Sequence, residues 1–450
     1  MISGFFVGMS LPACTAQTLA SQTTSPLDLF AQSTQFSQLP EIKDSERITL
    51  ERAVEIAFQE NAQIKASRYQ IEAAKANLAG QRAPINPTLT YGGLNNTVAP
   101  APTLDVNNPS NYGVLFTVET NGAISWRTSQ AHNQFDQATA DAKTAFLNVR
   151  QSVTNAYIGL QIANRALLDE QEALKDAARI RDLTRQQFKL GAAPQTNSIR
   201  ADIAYTQEFA NMLNQVNAVK AARSALNIAL GRKPEQPVDA AEPLEFAPIH
   251  EKLDDLQKLA DANRPELSSA TYSLHALKAA VGLQRSQYYP DLVVGTDFRE
   301  VHSGVFQVGL TLPLFDFGSI RGAVSQAKKN VKAQESQIVL AQQQVRLDVE
   351  SAYEALIVSE GTVEALMAGS LSQAEGLEQR IEKGYLLGGN TILDLLDAQS
   401  TLRASRIAYY GSIGNYRQAL AQLERAIGAP VRALNTAPAV SPQEIGTKSR

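Results

Sequence analysis

The stretch FKLGAAPQTNSIRAD, Phe188 to Asp202, is written again with changes as YLLGGNTILDLLDAQ, Tyr385 to Gln399, an offset of 197 residues. The same offset pairs NIALGR (Asn227–Arg232) with ERAIGA (Glu424–Ala429). VLFTVETNGAISWR (Val114–Arg127) and VGLTLPLFDFGSIR (Val308–Arg321) stand 194 apart. INPTLTYGG at Ile85 answers YYPDLVVGT at Tyr288, and AVEIAFQENAQIKAS from Ala53 answers LQKLADANRPELSSA from Leu256. Landmarks in one order at nearly constant spacing indicate a duplicated unit. The units span 48–247 and 248–430, after a signal-like segment 1–20 and a linker 21–47, and before a flexible tail 431–450.

Each unit opens with a helical pattern of about 35 residues, and Thr49 is placed to cap the first with Glu51 in its opening turn. Pro84 and Pro87, or Pro290, end it. Two strand patterns follow. Leu89 and Tyr91, then Val114, Phe116 and Val118, alternate with Thr88, Thr90, Gly113 and Thr117. In the second unit Leu292, Val294 and Phe298, then Phe306, Val308, Leu310 and Leu312, alternate with Gly295, Asp297, Arg299, Gln307, Gly309 and Thr311. This period of two gives one apolar side and one small or polar side. A hairpin lying on a soluble core would show the same alternation. Lengths of about nine or ten residues suit a tilted transmembrane strand, and Asp297, Arg299 and Gln307 suit a wet lumen.

Proline-free stretches from about Ser125 to Lys189 and Ile320 to Lys383 then read as very long helices. Some sixty residues at ~1.5 Å each reach on the order of 90 to 100 Å, a length that calls for coiled-coil partners. Turns at Gly191 and Gly388 reverse the chain, and a helix of roughly 35 residues returns. The return helix and the opening helix, stacked end to end, can match the long one.

Composition excludes several functions. Net charge is -4 and basic residues are interspersed with acids, so nothing attracts nucleic acid in bulk. The one cysteine, Cys14, leaves no intrachain disulfide and no cysteine metal site. His132, His250, His275 and His302 are scattered without ligand spacing, and no phosphate-binding loop occurs. The expectation is a protein that is not an enzyme and uses no cofactor or metal. MISGFFVGMSLPAC resembles the end of a secretory signal, although the first Lys or Arg is Lys43. Leu11-Pro12-Ala13-Cys14 also resembles a lipobox that would lipidate Cys14; cleavage after Ala16 or Ala20 is the alternative. No segment has the roughly 18 consecutive apolar residues of a spanning helix, so a membrane crossing must use strands.

Four strands cannot close a useful barrel, and lipid forbids open sheet edges. Three copies would supply twelve strands, an even number within the bacterial range. The order helix, two strands, long helix, glycine turn, helix, written twice, resembles the TolC family of outer-membrane efflux proteins from about Ile48 to Pro430. GGNTILDLLDAQ at Gly388, FKLGAAPQTN at Phe188 and LTLPLFDFGSIR at Leu310 carry the likeness. The resemblance implies a mainly α fold with a small transmembrane β portion. It implies a homotrimer: a 12-stranded barrel in outer-membrane lipid, continued by a periplasmic α-helical barrel. It further implies a passive exit duct working with a periplasmic adaptor protein and an inner-membrane pump, with no nucleic-acid partner.

Asp394 and Asp397, three apart, fall on one helix face. By resemblance that face points into the pore mouth, where three-fold symmetry would stack two carboxylate rings that select cations or polar cargo. Local capping by Asp394, with Asp397 merely solvated, is the other reading. The first unit has Asn197 and Arg200 at the equivalent places. Tyr385 matches a residue that helps tie tip helices shut. Asn390 stands where a family member carries an arginine bonding across to the adjacent helix pair, so the strength of the closed gate is left open. Leu190, Gly191 and Ala192, with Leu387, Gly388 and Gly389, match the turns that meet the adaptor; both central glycines also suit left-handed caps. A type I secretion duct is the alternative within the channel class, and a soluble periplasmic coiled-coil adaptor or scaffold the alternative outside it.

Overall fold

The computed structural model describes residues 45–91, 111–249, 251–299, 303–311 and 315–431. The signal-like segment, Cys14, most of the linker, His250, His302 and the tail beyond Val431 lie outside the described residues, as do the side chains of Asp297, Arg299 and Gln307.

In chain order the elements are β1 (Glu46–Ile48), α1 (Leu50–Glu60), α2 (Ala62–Arg82), β2 (Thr88–Tyr91), β3 (Asn111–Val118), α3 (Ala123–Lys189) and α4 (Gln195–Leu230). The order then repeats with β4 (Val238–Ala240), α5 (Leu253–Asn263), α6 (Pro265–Ser286), β5 (Asp291–Arg299), β6 (Ser303–Thr311), α7 (Ser319–Ala365), a π-helical turn (Leu366–Leu371), α8 (Ser372–Leu386) and α9 (Ile392–Ile427).

The opening helices differ from the single rods expected. The first breaks at Asn61, which is extended and whose side chain accepts from Gln63 N to start α2. The second breaks at Arg264, because the residue before Pro265 is pushed out of helical conformation. These breaks are where the return helices dock. Gly231, at φ +85°, closes α4 so tightly against Asn61 that a Cβ would come within 2.6 Å of its Cα. Gly428, at φ +74°, does the same against Asn263 and Arg264. Each seam is stitched by a side chain reaching a carbonyl in the last turn of the return helix: Asn61 Nδ2 donates to Ala229 O (2.8 Å), and Arg264 Nη1 to Arg425 O (3.1 Å). A C-terminus meets an N-terminus, so the helix dipoles run head to tail. The expected end-to-end stacking therefore holds, with α1 and α5 turned aside.

The lead-in is not loose at its end. Glu46–Ile48 pairs in parallel with Val238–Ala240, with Ile48 buried. Arg232 pins that strand by ion pairs to Glu46 (3.1 Å) and Glu60 (3.2 Å).

Strands β2, β3, β5 and β6 form one antiparallel sheet in that order, leaving β2 and β6 as edges. Its register joins Leu89 to Val114, Val114 to Thr296 and Thr296 to Phe306. Directly paired residues share a face. Leu89, Phe116, Val118, Val308 and Leu310 thus lie on one apolar side, with Thr117, Gly295 and Gly309 on the other. The face is continuous across both units, which the pattern of each strand alone could not tell.

Each unit has its own hydrophobic core. Val153, Tyr157, Leu160, Leu226 and Leu230 fill the first; Leu256, Val349, Leu356, Tyr416, Leu423 and Ile427 fill the second. Helix α3, 67 residues and about 100 Å long, packs on α2, α4, α6 and α9, whereas α7 packs on α5, α6 and α9. Among the described residues no helix is long and apolar enough to cross a membrane.

Candidate functional site

Both hairpins reverse through the same backbone device. Gly191 (φ +71°) and Gly388 (φ +80°) take the left-handed conformation that L side chains avoid. The next amide closes the helix end in each, Ala192 N to Gln187 O and Gly389 N to Gly384 O, both at 2.8 Å. Leu190 and Leu387 stand at the apices, 83% and 88% exposed.

Past the turn the two tips part. Helix α4 begins after Pro194 with no side-chain cap. Helix α9 begins with a full capping box: Thr391 Oγ1 accepts from Asp394 N (3.3 Å), and Asp394 Oδ2 accepts from Thr391 N (2.8 Å). Asp394 Oδ2 also takes the Thr391 hydroxyl at 2.8 Å. These hydrogen bonds, the backbone one first, hold the Asp394 carboxyl below the usual range. Asp397 is exposed one turn further along the same side. The local cap is thus present, and both carboxylates remain open to solvent.

Tyr385 is buried with Ile180, Ala201, Ile392 and Leu395, so all four tip helices meet around it. Burial raises its pKa. Its hydroxyl donates to Gln187 Oε1 at 3.0 Å, which ties the second hairpin to the first within one chain. Gln187 had no signal in the sequence, because nothing in its neighbourhood marks the partner. Asn390 folds back over its own helix end: a Cβ on Gly384 would collide with Asn390 Oδ1 at 1.8 Å. A side chain at 384 would make the Asn390 amide swing away.

Above the tips, ion pairs join the hairpins. Arg179 meets Glu382 (2.6 Å), Arg403 meets Glu208 (2.6 Å) and Arg406 meets Glu172 (3.2 Å). They flank a cleft of about 570 Å³ whose walls include Asp169, Arg200, Glu208, Glu378 and Arg403. Asp169 is only 3% exposed. Arg165 lies 3.2 Å from it without hydrogen-bond alignment. Desolvation pushes the Asp169 and Glu170 carboxyls up, against the pull of Arg165 on the first and Arg403 on the second. Burial likewise raises Glu378, helped by the like charges of Glu382 and Asp176. None of these cross-hairpin pairs was visible in the sequence, where basic residues are interspersed with acids throughout. Among the described residues no group of three or more His, Cys, Asp or Glu is arranged to hold a metal.

The architecture is two long helical hairpins joined to one four-stranded antiparallel sheet, and comparison with known proteins gives it a family. The model of the outer membrane efflux protein family matches twice, over residues 53–232 and 256–429. The chain is 24% identical to the cobalt-zinc-cadmium resistance protein CzcC of Cupriavidus metallidurans, over 85% of this chain and 90% of that protein. It is 26% identical to the outer membrane protein TolC of Escherichia coli, over 64% of this chain and 62% of that one. Among solved structures it superposes on CusC with a TM-score of 0.69 at 15% identity, covering 86% of this chain and 93% of CusC. The open state of the MtrE channel of Neisseria gonorrhoeae gives 0.68 at 20% identity, covering 85% and 89%. The chain belongs to the outer membrane efflux protein family. It is an outer-membrane channel for efflux, with a large helical portion in the periplasm.

Proposed function

We propose that three copies close into one conduit, and that the hairpin tips form its gated periplasmic mouth. One observation carries this reading: among the described residues, a four-stranded sheet with a continuous apolar face ends in two unpaired edges, β2 and β6. In lipid each bare edge would cost several kcal/mol per unsatisfied group, so neighbouring copies must pair them. The duplicated units 48–247 and 248–430 then contribute alternate strand pairs and alternate hairpins around the ring.

At the mouth, Asp394 and Asp397 of three copies make two stacked carboxylate rings that favour cations or polar cargo. Capping by Asp394 supports this use, since the cap orients its carboxylate and keeps it ionised. Tyr385 holds the closed tip through Gln187, while Asn390, spent within its own turn, adds no ionic tie. The exposed turns Leu190–Gly191–Ala192 and Leu387–Gly388–Gly389 receive a periplasmic adaptor, which couples the duct to an inner-membrane pump. The duct has no chemistry of its own. Its cargo is set by the pump: CzcC, named for metal resistance, and the antibiotic efflux protein ArpC of Pseudomonas putida are both 24% identical to this chain.

The test is conductance of the purified protein in a planar bilayer. Asp394→Ala with Asp397→Ala should lower cation preference and weaken block by trivalent cations. Unchanged selectivity would remove the rings while leaving the channel. A monomer, soluble without detergent and silent in the bilayer, would remove the conduit.

A further inference from the structure

Above the tips the two hairpins pack around a space, and the charges that line it are out of balance. All four tip helices wall the cleft: Asp169, Ala173 and Asp176 from α3, Ala204 from α4, Glu378 from α8 and Leu396 from α9. On α3 the wall residues recur at three and four positions, so they share one helix face. The short side chains of Ala173, Ala177 and Ala204 are what leave the space open.

Asp169 lines this cleft while almost wholly buried, and neither of its carboxylate oxygens receives a hydrogen bond. Buried polar groups are ordinarily satisfied. The nearby Arg165 does not satisfy it, since its guanidinium lies over the Tyr410 ring, 4.5 Å from the centroid. Glu378 meets no ion-pair partner among the described residues, and Glu382 and Asp176 add like charge beside it. Asp176 stands 3.4 Å from Arg179, which is held more closely by Glu382 at 2.6 Å. Two arginines of the walls are already engaged, Arg403 with Glu208 (2.6 Å) and Arg406 with Glu172 (3.2 Å). Arg200 alone stands exposed on the α4 side without an ion pair among the described residues. Burial raises the Asp169 and Glu378 carboxyls, as befits acids short of a cation.

We propose that this cleft binds an organic ammonium ion with an apolar body, its charge held by Asp169, Asp176 and Glu378 and its body laid on the alanines, Ile203 and Leu396. A volume of about 570 Å³ is that of a small-molecule pocket. A metal ion fits less well, because among the described residues no three acids converge to hold one. An anion would meet carboxylates that lack partners. Since the walls come from both hairpins, the site exists only while they are packed together, and an occupant favours that packing. The site lies within one chain, so it rests neither on the closed ring nor on the carboxylate rings at Asp394 and Asp397.

Equilibrium dialysis of the full-length protein in detergent, against protein-free micelles, tests it with naphthylmethylammonium as the probe. Saturable binding of one probe per chain is expected. The neutral isostere naphthylmethanol should bind about tenfold more weakly or worse, the usual worth of a hydrogen bond to a charged group. Glu378→Gln should weaken the ammonium by a similar factor and leave the alcohol unchanged. Ala204→Leu, which fills the cleft and removes no charge, should abolish binding of both. Asp394→Ala with Asp397→Ala should bind as the parent does. Equal affinity for ammonium and alcohol would reduce the cleft to an apolar sink and overturn the proposal. Preference for naphthoate would assign the site to Arg200 and overturn it too. Binding that survives both Glu378→Gln and Ala204→Leu would place the cation elsewhere, and binding lost only in the Asp394 and Asp397 variant would place it at the mouth. Conversely, bilayer selectivity unchanged in that variant would remove the rings and leave this site standing.

Discussion

Helix α3 runs unbroken from Gly122 to Gly191, while its twin from Gly318 to Gly388 passes through a π turn at Leu366–Leu371. The opening glycines are 196 apart and the closing glycines 197. The second copy therefore carries one extra residue, and the π turn absorbs it. Without it, everything beyond the insertion would rotate by about 100°, and Tyr385 would leave Gln187. The two sites differ in what they can tolerate. No residue of the π turn is buried, and its sequence, Leu-Met-Ala-Gly-Ser-Leu, is mostly small or flexible. At the matching level α3 buries Asp169 and Glu170, with Ala177, Ile180 and Thr184 just beyond. An insertion survives at the edge of the packing and not at its centre.

Single-residue deletions would break this comparison most sharply. Deleting Gly369 should leave a continuous helix and change stability by no more than about 1 kcal/mol. Deleting Ala173, its counterpart in α3, should turn the tip-facing residues off their core and cost on the order of 4 kcal/mol or more. Thermal resistance of the protein in detergent reads both; equal losses would show that the π turn does not hold the extra residue.

The seams offer a smaller contrast. Gly231→Ala places a Cβ 2.6 Å from backbone, whereas Gly428→Ala meets its nearest backbone atom at 3.0 Å. Both pay for the left-handed conformation, about 1–2 kcal/mol, and Gly231→Ala adds overpacking, for about 3 kcal/mol in all. Denaturant midpoints should rank them in that order.

The smallest effect is in pH. The folded pKa of Asp169 is raised by burial, so its contribution is fully present below the unfolded value of about 3.9 and is lost as pH rises through the folded value. Asp394 is depressed, so its contribution is present above about 3.9 and is lost as pH falls through the folded value. Asp169→Asn should flatten the gain in stability on acidification from neutral pH; Asp394→Asn should remove a loss confined to the most acidic range. Melting curves of the two variants against pH would separate them, and parallel profiles would refute the assignment.

Much of the fold was legible because its signals are local. Gly191 and Gly388 mark turns by conformation, Thr49 caps a helix, and strand faces follow from a period of two. The break before Pro265 was equally readable from the X-Pro rule, and Asn61 from its capping chemistry, yet both were hidden by apolar periodicity that continues across them. At the site, the turns and the face shared by Asp394 and Asp397 were legible. Gln187, the Arg179–Glu382 and Arg403–Glu208 pairs and the buried Asp169 were not, since each depends on a residue from the other unit.

By itself the sequence determined the duplication, the length of each hairpin, the reversals at the tips and the two faces of the strands, all consequences of backbone preference and short-range periodicity. The tertiary structure decided which long helix became central and where the extra residue could be housed. Those outcomes depend on how helical phase accumulated over distant segments comes into register. A change of one residue in that phase reverses which side chain meets which, so no local pattern can carry it.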